Sequence, residues 1–225
     1  GDQHGAVIWA KRQTEGRGRQ GRRWISKEGN LYCSLLLKPE VPRQHLPQLS
    51  FVTSLAVLQA LEAVVGEGHT LALKWPNDLL VDGRKIAGLL LETHEVAPST
   101  NPWVVIGLGI NVNHHPGPED VRFPADSLHA LGVDIVSPKI ILARVLDFFQ
   151  AAYDRWSEQG FEVIRRDWLA FAAWLGQAVV LRQGETRYTG IFHDLDSLGA
   201  LVLQEVGESP VPVTRTFTAG DVSLE

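Results

Sequence analysis

The stretch Gln13-Thr-Glu-Gly-Arg-Gly-Arg-Gln-Gly-Arg-Arg-Trp24 concentrates glycine, arginine and one aromatic ring in a segment with neither helical nor strand periodicity. From Lys11 to Arg23 there are six basic residues and one acid, a local charge of +5 in a chain whose formal net charge is −5. A reversal of that size marks a site for an anion. Glycines at 16, 18 and 21 let backbone N–H groups approach a phosphate or carboxylate closely. The arginines supply forked, charge-assisted hydrogen bonds. Alone, such a run reads more readily as a solvated basic loop. The neighbours favour an anion site: Trp24 sets a planar ring beside the charges, suited to a nucleotide base, and Asn30-Leu-Tyr-Cys-Ser-Leu-Leu-Leu37 reads as a buried strand that anchors the loop.

Two further segments carry candidate chemistry. In Lys74-Trp-Pro-Asn-Asp78 a lysine ends an apolar strand. It either points to solvent or pairs with an anion, because an unpaired buried ammonium is costly. Asn77 and Asp78 offer an amide and a carboxylate at the turn, or simply cap it. Gly107-Leu-Gly-Ile-Asn111 places two glycines in a strand, the mark of a bulge or of close approach by backbone or ligand. Asn111 at its end has an amide able to read an adenine edge. Neither of the common phosphate-binding glycine fingerprints occurs. His114 and His115 read as loop residues, and with one cysteine and no H-E-x-x-H pattern no metal site is expected.

These segments need a scaffold, and 225 residues with 44% hydrophobic and 21% charged content suffice for one large domain or a large and a small one. Cys33, inside an apolar strand, reads as a small buried hydrophobe. No apolar run reads as long enough to span a membrane and no signal peptide is recognisable, so a cytoplasmic setting is expected. The chain lacks an initial methionine and enters a strand at Ala6–Ala10, so an upstream segment is expected. A buried helix is expected over Phe51–Val65, with Ser50 and Gly66 as caps. Strands follow at Leu71–Trp75, Leu79–Val81, Lys85–Glu92 and Trp103–Asn111, with Asp82-Gly83 as a hairpin turn. Ser137-Pro138 opens a helix whose Ile141, Val145, Phe149, Ala152 and Trp156 share one face, and a second helix is expected over Phe161–Trp174. From Ala178 short strands with turns at Gln183-Gly184, Ser197–Gly199 and Glu208–Pro210 suggest a small β-barrel.

Taken in order, Gly16–Trp24, Gly29-Asn-Leu-Tyr-Cys-Ser34, Lys74–Asp78, Lys85-Ile-Ala-Gly88 and Gly107–Asn111 resemble the biotin protein ligase family over essentially the whole chain. The resemblance implies an α+β fold: a catalytic domain over 1–175 with a mixed sheet and helices, and a small C-terminal β-barrel over 176–225. It implies synthesis of biotinyl-5′-adenylate from biotin and ATP with Mg2+, then transfer of biotin to a lysine of a biotin carboxyl carrier protein. By the same resemblance, Gln13, Gly16, Arg17, Lys74 and Gly88 contact biotin. Arg17, Arg19, Trp24 and Asn111 contact ATP, and Lys74 and Arg19 are catalytic, with no metal held by the protein alone. The family's upstream Ser/Thr-Asn motif, which binds biotin, is absent from this chain. DNA is expected as a partner only through a domain outside it, and a homodimer is compatible with the resemblance.

Two alternatives stay open at this stage. A lipoate ligase or lipoyl transferase shares the architecture, but its His-Asp pair is not seen after Arg23. A nucleic-acid-binding module would use the basic loop, yet residues 178–225 carry Arg182, Arg187 and Arg215 against Glu185, Asp194, Asp196, Glu205, Glu208, Asp221 and Glu225. That surface repels a phosphate backbone.

Overall fold

The computed structural model describes residues 3–95, 101–133, 137–205 and 213–224. Strands β1 (Ala6–Ala10), β2 (Leu31–Leu37), β3 (Leu71–Lys74), β4 (Asp78–Val81), β5 (Arg84–His94) and β6 (Trp103–Ile110) form one sheet in the order β1-β2-β6-β5-β4-β3. Every ladder in it is antiparallel, which corrects the expected mixed sheet. The sequence joins these strands mostly by hairpins and returns, so no crossover enforces parallel pairing. Parallel pairing survives only in two isolated bridges among the described residues, Leu73 with Ala172 and Lys85 with Ala125.

One face of this sheet is covered by helices α1 (Leu49–Val65) and α2 (Pro138–Gln159), with α3 (Phe161–Leu169) packed against both. Side chains alternate along a strand, so Val104, Ile106, Leu108 and Ile110 enter this core while Gly107 and Gly109 lie on the other face. Helix α1 is buried nearly all round, as expected. It begins two residues earlier than expected: a 3-10 turn over Arg43–Gln48 leads into it, so Ser50 lies inside the helix and caps nothing. Contrary to the sequence reading, Arg43–Val65 is long and apolar enough to cross a membrane, but most of it is buried in the core of this fold. Ser137 caps α2 as expected, its hydroxyl accepting from Lys139 N at 3.3 Å. Helix α3 stops at Leu169 instead of Trp174, because Phe171 and Ala173 give their backbone groups to Leu73 on the free edge of β3. Cys33 is buried, and burial pushes its thiol up to about 12.

A second sheet comprises β7 (Ala178–Gln183), β8 (Thr186–Leu195), β9 (Leu201–Gln204), β10 (Thr214–Phe217) and β11 (Asp221–Leu224), in the order β10-β9-β8-β7-β11. Among the described residues no ladder joins β10 to β11, so the sheet is open and the expected barrel closure is not present. The turn expected at Glu208–Pro210 lies outside the described residues. This sheet grips the first through its β8–β9 turn. Trp75 Nε1 donates to Gly199 O at 3.1 Å and Gln48 Nε2 to Ser197 O at 3.0 Å. A Cβ at Gly199 would meet the Phe51 ring at 2.5 Å, so only glycine permits this approach. Arg165 of α3 holds the Leu195 carbonyl at 2.6 Å and pairs with Asp194.

Candidate active site

Strand register builds the site. Lys74 on β3 faces Asp78 on β4, Asp78 faces Gly88 on β5, Gly88 faces Gly109 on β6, and Gly109 faces Tyr32 on β2. Directly paired residues share a face, so one row across five strands carries a lysine, a carboxylate and two adjacent glycines away from the helices. The two glycines leave a shallow floor, and the indole of Trp24 lies on it. A Cβ at Gly109 would be 2.6–2.7 Å from three atoms of that ring, and one at Gly88 would be 3.0 Å from it. The Trp24 indole N–H is buried without a hydrogen-bond partner, a donor left for a ligand acceptor.

The Gly/Arg segment delivers Trp24 as a narrow hairpin. Trp24 N donates to Gly16 O at 2.8 Å and Gly18 N to Arg22 O at 2.7 Å, with Arg17 and Arg23 bridged. Its tip turns through Gln20 and Gly21, both at positive φ (57° and 71°). Gly16 is buried, and a side chain there would strike the Trp24 carbonyl, Ser26 Oγ and Gln13 Oε1. Gln13 Oε1 accepts from Ser26 Oγ at 2.8 Å, so Gln13, Gly16 and Trp24 meet at the base of this hairpin. Arg17 is exposed and pairs with Glu92 at 3.2 Å. Arg19 is half-buried; burial lowers its guanidinium from the ordinary value, opposed by the fields of Asp221 and Asp78.

Lys74 is only 5% exposed. That settles its direction, which the sequence left open. Its ammonium lies 3.6 Å from Asp78, and burial pulls it below the usual lysine value against the attraction of Asp78. Burial would raise the Asp78 carboxyl, but Lys85 and Lys74 outweigh this and hold it below the ordinary carboxylate value.

Lys85 was not among the expected site residues. Its ammonium is 2.6 Å from Asp78 and 5.3 Å over the Trp24 ring. Simple alternation puts Lys85 and Gly88, three residues apart, on opposite faces. A bulge intervenes: Leu79 pairs with Ala87 but Leu80 with Lys85, so Ile86 is the extra residue and Lys85 is turned onto the face of Gly88. Asp221 was also missed. Its two oxygens accept from Arg22 Nη2 at 2.7 and 2.8 Å, bringing the second sheet to the rim of the site. Asn111, by contrast, is buried and its amide donates to the Asp126 carbonyl at 3.0 Å, anchoring the loop that follows β6.

The site thus sets two ammonium groups and a guanidinium beside an indole seated on two glycines, a combination suited to joining a carboxylate with a nucleotide phosphate. The Biotin/lipoate A/B protein ligase family matches residues 2–111, and the Biotin protein ligase C terminal domain matches residues 174–225. The biotin--[acetyl-CoA-carboxylase] ligase of Paracoccus denitrificans is 37% identical over 96% of this chain and 91% of its own length. The chain belongs to the biotin protein ligase family. A second ligase of that name, from Mycobacterium tuberculosis, is 35% identical over 98% of this chain and 79% of its own. The bifunctional ligase/repressor BirA of Bacillus subtilis is 33% identical, and the match spans 62% of that longer protein. Among solved structures, the biotin protein ligase from Aquifex aeolicus in complex with biotin and ATP superposes with a TM-score of 0.81 at 31% identity, over 98% of this chain and 88% of that one.

Proposed function

We propose that this ligase condenses biotin with ATP and passes the biotinyl group to a lysine of a biotin carboxyl carrier domain, in the cytoplasm. The observation that carries the reading is the convergence of Lys74, Lys85 and the half-buried Arg19 around Asp78 beside the Trp24 floor. In the first step a biotin carboxylate oxygen attacks the α-phosphorus of ATP and pyrophosphate leaves. Two anions must meet, and fixed cations stabilise the charge they share in the transition state. Lys85 stands next to the glycine floor and is placed to bridge carboxylate and α-phosphate; Lys74, behind Asp78, fixes that carboxylate and through it Lys85. Gln13, Gly16, Arg17 and Gly88 are assigned to biotin, and Arg17, Arg19 and Trp24 to the nucleotide. Asn111 is assigned to the adenine side through the loop it anchors. In the second step the carrier amine attacks the acyl carbon, loses a proton to water, and AMP leaves.

Magnesium does not fit a cage made by the protein alone. Among the described residues no group of three or more His, Cys, Asp or Glu converges, and Asp78 is already bound by two ammonium groups. Mg2+ is therefore assigned to the nucleotide phosphates. The two sheets correspond in this reading to a catalytic domain over 1–175 and an appended domain over 176–225. Biotin-dependent exchange of pyrophosphate into ATP, with lipoate in a parallel arm, tests the first step. Exchange with biotin alone is expected, and exchange only with lipoate refutes the substrate assignment.

A further inference from the structure

The loop after β6 ties its own first residue, Asn111, to Lys74 on β3 and Lys85 on β5. Strand β6 ends at Ile110, paired with Ala87, so the edge of β5 beyond that point loses its neighbour. The chain leaves at Asn111, returns, and fills the gap with Pro124–Asp126. Lys85 N donates to Pro124 O at 2.8 Å and Asp126 N to Lys85 O at 3.0 Å. The Asp126 carbonyl also accepts from the Asn111 amide, and its carboxylate lies 3.5 Å from Arg84. One residue earlier, the Phe123 ring sits 5.0 Å from the Lys74 ammonium and stands edge-on to Trp174 at 6.0 Å.

We infer that Phe123–Asp126 is a positioning strap that fixes Lys74, Lys85 and Asn111 relative to one another, with Phe123 as the residue that caps the Lys74 ammonium. The inference rests on the ligase reading of the site. Its physical basis is that Lys74 has a carboxylate on one side and an aromatic face on the other. The negative ring face attracts the ammonium, and the ring excludes water from a charge already almost wholly buried. A charge free to move by a fraction of an ångström loses much of its effect on a transition state. The strap uses a backbone pair for Lys85 because β6 ends at Ile110, opposite Ala87, and leaves that part of β5 without a partner, and Asn111 N donates to Ile86 O at 2.8 Å to close the same corner. A strap residue of this kind changes turnover more than biotin binding, since Phe123 acts through Lys74.

The test uses the intact chain with Phe123→Ala, Phe123→Leu and Phe123→Tyr. Two readouts are taken: acylation of Lys74 by acetic anhydride, scored by mass spectrometry against exposed Lys139, and kcat and KM for biotin-dependent pyrophosphate exchange. Lys74 acylation is expected to rise several-fold in Phe123→Ala and to stay at the parent level in Phe123→Tyr. Turnover should fall about threefold to thirtyfold in Phe123→Leu, which keeps an apolar side chain without the ring face, and recover to within about twofold in Phe123→Tyr. The KM for biotin should hold. Equal turnover in the Leu and Tyr variants, or Lys74 acylation unchanged by Phe123→Ala, overturns the inference. If the parent shows no exchange, the ligase reading fails, while the acylation readout still decides whether Phe123 caps Lys74.

Discussion

Replacing Gly109 by alanine should strain the site by a calculable amount. The added Cβ falls 2.6–2.7 Å from three Trp24 ring atoms, against an ordinary carbon contact of about 3.5–4.0 Å, so the indole must retreat by about 1 Å. It has little room to do so. Trp24 N is tied to Gly16 O and the Lys85 ammonium lies over the ring. Overpacking of this kind costs about 1–3 kcal/mol, and at this chain length each kcal/mol lowers Tm by about 2–4 °C. The expected loss is therefore about 2–12 °C. Gly88→Ala should cost less, because its Cβ meets the flexible end of Lys85 at 3.1 Å and comes no nearer than 3.0 Å to the ring. The decisive measurement is a double-mutant cycle by urea denaturation with Trp24→Leu. Removing the ring should relieve the alanine at 109, giving a favourable coupling of about 1 kcal/mol or more. Additivity within about 0.5 kcal/mol would refute the claim that the glycine exists to seat the indole.

Further outcomes follow from the same geometry. Lys85→Ala should slow adenylate synthesis about a hundredfold to a thousandfold in rapid-quench single turnover, as expected for loss of one preorganised charge, with biotin binding retained; near-normal synthesis would remove Lys85 from the chemistry. Lys74→Ala should slow it too, and should also destabilise the fold because Asp78 then keeps only one of its two ammonium partners. Charge reversal at either Arg22 or Asp221 should weaken the link between the sheets and reversal of both should partly restore it, with a coupling of about 0.5–1 kcal/mol in urea denaturation, modest because both side chains are partly exposed. Asp78 is held below its ordinary value of 3.8, so its ion pairs add stability above that value and lose it as pH falls through the lower folded value. The acid limb of the urea midpoint should accordingly flatten in Asp78→Asn, and an unchanged limb would show that other carboxylates govern it.

What could be read from the sequence was local chemistry. Asp82-Gly83 takes positive φ at both positions (49° and 73°) and closes the expected hairpin, because those two residue types tolerate the left-handed region. Ser137-Pro138 capped its helix for an equally local reason. Where expectation and structure part, a distant partner decides. The helix expected to reach Trp174 stops at Leu169 because the edge of β3 competes for the backbone of Phe171 and Ala173. Gly16, Trp24 and Lys74 stood out in the sequence because a loop glycine among arginines, a tryptophan beside charges and a lone strand lysine are unusual where they stand, whereas Gln13 and Gly88 were named only through the family resemblance. Lys85 was hidden by a one-residue bulge that reverses its face, a feature the hydrophobic alternation does not announce. Asp221 lies 199 residues from Arg22, and nothing local to either signals the pair.

Asn30, at the foot of β2, has a consequence for how the site must hold an anion. Its Oδ1 accepts from three successive backbone N–H groups, those of Val112, Asn113 and His114, at 2.9–3.0 Å, and its Nδ2 returns a bond to His114 O at 2.8 Å. Three consecutive amides aimed at one point form the concave nest that elsewhere cradles a phosphate. Here a neutral side chain of the protein itself fills it. The backbone after β6 is thereby withdrawn from competition for the triphosphate, so the nucleotide's charge is left to the cationic side chains of the hairpin and the lysine row. Where those groups meet water they are screened by salt. Nucleotide affinity in this chain should consequently respond to ionic strength more steeply than in proteins whose phosphate site is made of main-chain amides.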